Sequence, residues 1–79
     1  MNSKRSAERT QEIWGELITL GQLIKLLSLV GSGAEVKEFL ADTAIEVNGE
    51  PENRRGRKLY AGDLVSISGQ DPVRLVEKP

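Results

Sequence analysis

Four cations fall within five positions of this 79-residue chain, at Arg54, Arg55, Arg57 and Lys58, interrupted only by Gly56. Guanidinium groups at this density suit anion recognition, because the planar fork of arginine binds phosphate oxygens two at a time. Gly56 between arginines lets the backbone curve around a phosphate or offer an amide donor. Four such contacts would give RNA binding a log–log salt slope of roughly −3 to −4. Two blander readings compete: a solvated, charged loop, and a loop that docks on an acidic protein partner. Catalytic chemistry has far less to work with. Histidine and cysteine are absent, which removes the commonest general base, thiolate ligands and disulfides. Asp63, Asp71 and several glutamates have no nucleophile–base pair or phosphate-cradling glycine loop beside them. The expectation is a binding protein with no cofactor and no metal, not an enzyme.

The elements that must present these cations begin at Ile45. Ile45 and Val47 alternate into Asn48-Gly49, a strong hairpin signal, since a type I′ turn needs positive φ at both central residues. Tyr60-Ala61-Gly62-Asp63 reads as a second turn and Leu64–Ile67 as a strand. Gly69-Gln70-Asp71-Pro72 is a third turn before a last strand from Val73. Tyr60 is expected in the core, and Asp63 as a turn acceptor.

Upstream, Thr19 and Gln22 form a T-x-x-Q capping box, followed by Leu20, Leu23, Ile24 and Leu27 at helical spacing. The helix should run to about Val30 and stop at a left-handed Gly31. Ser32 with Glu35 reads as a second capping box, and Val36, Phe39, Leu40 and Ala44 as the buried stripe of a second helix. Gly33 in its first turn suggests tight helix packing or close approach of a phosphate. Leu17-Ile18-Thr19 is read as a short strand and Trp14 as a packing residue. Residues 1–11 are read as a mobile tail and 12–79 as one small domain. The expected fold class is α+β, two short helices packed on a small, mostly antiparallel sheet of three to five strands.

The totals leave a condition to satisfy. Eleven basic residues oppose twelve acidic ones, for a net charge of −1, whereas a nucleic-acid binder is usually basic. A positive patch therefore requires Glu35, Glu38 and Asp42 to face away from the Arg54–Lys58 cluster. No apolar run reaches the length of a membrane span, and the N-terminus lacks a signal-peptide core, so a cytoplasmic protein with no membrane partner is expected.

The run S-G-A-E-V-K-E-F-L from Ser32, I-E-V-N-G-E from Ile45, the basic cluster, and L-Y-A-G-D-L-V from Leu59 together resemble a known family. It is the S-four-type RNA-binding domain, first described in ribosomal small-subunit protein four, whose two helices and following hairpin form the αL motif. I-T-L-G-Q-L-I-K-L from Ile18 and N-R-R-G-R-K-L-Y from Asn53 are similar, more narrowly, to small free-standing bacterial proteins of the YaaA/YbcJ type. The resemblance covers about residues 18–67. It implies binding to structured RNA, ribosomal or transfer; the expected partners are that RNA and the ribosomal particle, and the expected state is a monomer. Carried over by position, the RNA-binding set is Gln22, Lys25, Ser32, Gly33, Lys37, Asn48, Arg54, Arg55, Arg57 and Lys58. One departure stands out: many such domains carry a basic residue after the serine that opens the second helix and another early in the first. Here those places hold Gly33 and uncharged residues, which shifts the binding burden to Arg54–Lys58.

Overall fold

A computed structural model describes residues 8–79. Strand β1 (Arg9–Ile13) leads to β2 (Leu17–Thr19), helices α1 (Leu20–Leu26) and α2 (Gly33–Asp42), then β3 (Ile45–Val47) and β4 (Glu50–Pro51). Strands β5 (Lys58–Tyr60), β6 (Leu64–Ile67) and β7 (Val73–Glu77) complete the chain. The architecture is α+β. One five-stranded sheet has the order β1-β7-β6-β3-β4, antiparallel except for the parallel β1–β7 pair, and β2 with β5 forms a separate antiparallel ribbon. No helix among the described residues is long and apolar enough to cross a membrane.

Period-two burial sets the inner face of the main sheet. Ile45 and Val47, Val65 and Ile67, Val73 and Leu75 are all buried, while intervening residues such as Glu46 and Ser66 are not. Leu20, Leu23 and Ile24 of α1 and Val36 and Leu40 of α2 close over them. Burial of this apolar surface is what keeps a seven-residue helix folded, since a helix that short is unstable alone.

Turn chemistry follows the expectations in the hairpins. Asn48 and Gly49 both have positive φ, 52° and 87°, between paired Val47 and Glu50. Gly62, at φ 98°, occupies the third position of a turn in which Asp63 N–H donates to the Tyr60 carbonyl. Asp63 Oδ2 in turn accepts from Tyr60 N–H, the acceptor role expected of it.

Several expectations need correcting. The strand from Arg9 occupies the last three positions of the stretch assigned to a tail; residues 1–7 lie outside the described residues. Helix α1 ends earlier than Val30 because Ser28, not Gly31, takes the left-handed conformation, at φ 61°. Its N–H bonds Lys25 C=O while Leu29 N–H bonds Ile24 C=O, the paired closure of a Schellman motif. The second capping box is not made. Ser32 is the N-cap but its side chain accepts no cap hydrogen bond, and the Glu35 carboxylate instead accepts from Gly31 N–H at 2.7 Å. Ala44 falls beyond α2 and is exposed. Trp14 is 78 % exposed rather than packed, with the Lys78 ammonium 5.0 Å from its ring centroid. Tyr60, expected in the core, is 47 % exposed.

Candidate nucleic-acid interface

Residues 52–57, which join β4 to β5, are held by their main chain. Arg57 N–H donates to Arg54 C=O, making a tight turn. The carbonyls of Arg57 and Arg55 then accept from Leu20 N–H and Gly21 N–H, both at 2.9 Å. The capping box supplies the other two partners: Gln22 N–H donates to Thr19 Oγ1, and Thr19 N–H to Gln22 Oε1. Every one of the four donors that the start of a helix leaves unpaired is thereby satisfied, two of them by the basic loop. The carbonyl dipoles also meet the positive end of the helix. Gly21 permits this approach, because a Cβ there would stand 3.3 Å from the Arg55 oxygen and 3.4 Å from Arg55 Cβ and Val36 Cγ1. Gly56, by contrast, has no positive φ and only open space around it, so curvature at that point does not require glycine.

With the carbonyls turned toward α1, one carboxylate organises the side chains. Glu52, whose side chain is 6 % exposed, accepts from Arg54 Nε at 2.9 Å and Nη2 at 3.1 Å, and from Arg57 Nη1 at 2.6 Å. Arg54 N–H and Asn53 N–H donate to the same group. The Arg54 guanidinium, followed by that of Arg57, holds the Glu52 carboxyl far below the usual carboxylate range. Four cations thus stand against one carboxylate, and the loop keeps a net positive charge. Among the described residues Arg55, Lys58, Lys25 and Lys37 make no ion pair. The salt slope expected from four free contacts falls accordingly, to roughly −2 to −3 for three net charges.

The helices bring further groups beside this loop. Lys37 lines an open depression together with Ala41, Asn53 and Arg55. Lys25 Nζ lies 3.8 Å from where a Gly33 side chain would begin, and nothing else crowds that glycine, so tight helix packing does not account for it. At about 100° per residue, Gly33 and Lys37 share one flank of α2, while Glu35 and Asp42 lie on the opposite side from Lys37 and Glu38 about a quarter-turn away. The charge separation that an anionic chain needs is built into this helix. Glu35 is the exception in effect, since its carboxylate reaches back to Gly31 at the first turn. The loop, rather than the end of α2, therefore carries the excess positive charge.

Not every expected contact residue is free to act as one. Asn48 is engaged internally: its Nδ2 donates to Asp63 Oδ1 and its Oδ1 accepts from Leu64 N–H, which locks the two turns together. Gln22 is exposed, but its amide oxygen belongs to the cap. Ser32 is exposed with a hydroxyl not used in capping. Two residues that matter here, Glu52 and Gly21, went unnoticed in the sequence, and a third, Tyr60, was expected in the core. Glu52 could have been suspected as an acid two and five positions before arginines. Gly21 has no local signature, because its constraint comes from a loop more than thirty residues away. Tyr60 was readable from period two, since it alternates with Leu59, which is fully buried.

Comparison with known proteins matches this arrangement to a family. A Bacillus subtilis (strain 168) protein named "Probable ribosome maturation protein RlbA" is 56 % identical over 61 residues, covering 77 % of this chain and 86 % of its own length. The S4 domain family matches residues 11–75, from within strand β1 to within β7 and including both helices and the basic loop. On this evidence the chain belongs to the S4 domain family.

Proposed function

We propose that the protein binds structured RNA, ribosomal or transfer, and acts as a non-enzymatic factor in a ribosome-related process. Membership of the S4 domain family supports RNA binding, and the ribosome maturation role in the name of the Bacillus subtilis relative supports the ribosomal setting. On this reading the two helices with the β3–β4 hairpin form the αL motif, and Lys25, Ser32, Gly33 and Lys37 border the surface. The observation that carries it is the under-neutralised loop: four cations and one carboxylate on a backbone pinned to the start of α1. Loop, clasp and helix hold these charges in advance, which reduces the ordering cost of binding. Recognition then runs through phosphates, 2′-hydroxyls and groove shape, as suits an RNA duplex whose major groove excludes side chains.

A filter-binding titration of a structured ribosomal RNA fragment at two salt concentrations tests this. The expected result is a log–log slope of roughly −2 to −3. Replacing Arg54, Arg55, Arg57 and Lys58 together by Ala should remove the salt-sensitive binding while a circular dichroism melt stays cooperative. Binding that ignores salt, or survives that replacement, would instead favour docking of the loop on an acidic protein.

A further inference from the structure

The β2–β5 ribbon has an outer face that the core does not use and of which the phosphate-binding reading uses Lys58 alone. Its inner face carries Leu59, fully buried, and half-buried Ile18. The opposite face carries Lys58 and Tyr60 from β5 and Leu17 from β2. Leu17 and Tyr60 are directly paired in the antiparallel register, so their side chains stand on one side of the ribbon within contact range. Both are exposed, Leu17 at 41 % and Tyr60 at 47 %. Tyr60 also lines a shallow open depression with Arg54, Gly56, Arg57 and Lys58. Its backbone is fixed by the Asp63 carboxylate on its N–H and by the turn that closes on its carbonyl.

An exposed aromatic ring backed by leucine, two strand positions from a lysine and beside two arginines, matches the two halves of a nucleotide. The spacing from Lys58 to Tyr60 along β5 is about 6–7 Å. A phosphate held by Lys58 and Arg57 thus leaves its neighbouring base within reach of the ring. A base paired inside a duplex offers only its edge and cannot lie on such a ledge, whereas an unpaired base offers its whole face. From this juxtaposition we infer that Tyr60, supported by Leu17, is a stacking platform for one unpaired nucleobase next to the phosphates gripped by the loop. The inference rests on the RNA reading above and adds to it a preference for a bulge, loop or helix end over a continuous duplex. Because every base has a π-face, the platform selects unpaired structure rather than base identity.

The bland role for Leu17 and Tyr60, a cross-strand pair that steadies the ribbon, predicts a different pattern of mutant effects. Two RNA probes separate them: a stem-loop with one unpaired 2-aminopurine in its stem, and the same stem fully paired, with the same terminal loop closed by a short linker. Wild-type protein should bind the bulged stem more tightly and quench its 2-aminopurine fluorescence. Tyr60→Ala should weaken the bulged complex by roughly tenfold or more, the usual effect of removing one stacking partner, and abolish the quench. Its affinity for the paired stem should stay within about twofold and its salt slope should be unchanged. Tyr60→Phe should behave as wild type, because the ring and not the hydroxyl does the stacking. Equal losses on both probes, or none on either, would overturn the platform while leaving loop-mediated RNA binding intact. Failure of the wild-type protein to bind either probe in a salt-dependent way would overturn the RNA reading, and the platform with it.

Discussion

Where β1 meets β7, cations and carboxylates are matched one to one: Arg74 with Glu8, Lys78 with Glu12 and Arg9 with Asp71. Around Glu52, two arginines share one carboxylate. The first set is exposed at every member and joins segments 62 or 66 positions apart in sequence. It reinforces a parallel ladder that backbone bonds already make, from Arg9 N–H to Pro72 C=O at one end and Lys78 N–H to Ile13 C=O at the other. Exposed pairs of this kind contribute little to stability, because water screens them and long side chains lose freedom in forming them. The second set is local, spans two and five residues, and centres on a nearly buried acid. Matching charges one to one closes a seam; leaving them unmatched around a fixed acid leaves charge over for a ligand.

The sharpest break in that contrast should come at Gly21, which bears no charge. Gly21→Val puts a branched side chain against the Arg55 carbonyl and Val36, at a cost of roughly 1–3 kcal/mol for an overpacked site. A melt should show the lost stability, and RNA binding should weaken although Gly21 is buried away from solvent. Glu52→Gln should come next, with two effects of opposite sense. Losing charge-assisted hydrogen bonds at a nearly buried acceptor should cost roughly 1–2 kcal/mol and lower the melting temperature by roughly 5–10 °C. The freed guanidinium groups should steepen the RNA salt slope by about one.

Acid pH probes the same acid without mutation. The folded-state pKa of Glu52 is depressed, so its stabilising contribution is complete above the ordinary value of 4.5 and is lost as pH falls below it. Melts of wild type should therefore fall away below about pH 4.5 more steeply than those of Glu52→Gln. Glu8→Gln, at the matched seam, should have the smallest effect: a melt indistinguishable from wild type and an unaltered salt slope, because Glu8 is exposed and its strand stays paired through backbone bonds.

Much of this was legible in local pattern. The Thr19–Gln22 box, the Asn48-Gly49 turn, the Asp63 acceptor and the alternation in β3, β6 and β7 depend on residues a few positions apart, and each formed as its residue types dictate. What escaped notice depends in part on distant partners and in part on local geometry that residue type does not announce. Arg9–Ile13 is a polar stretch with weak strand character, and it becomes a strand because β7 offers a parallel edge. Ser28 adopts a left-handed conformation that its type does not favour, because it allows Leu29 to fold back on Ile24. The basic cluster was plain to see, but its anchoring through Gly21 and its partial neutralisation by Glu52 were not. Residue type alone places Trp14 and Tyr60 in the interior, whereas both are exposed and the ribbon turns Tyr60 outward.

The carbonyls of Arg55 and Arg57 serve as the missing cap of α1, and this couples two events that would otherwise be separate. Opening the loop strips two amides of their acceptors, and fraying the first turn of the helix releases the loop. Any molecule that clamps the arginines from outside should therefore slow hydrogen–deuterium exchange at Leu20 and Gly21, two buried amides bonded to the main chain of the loop.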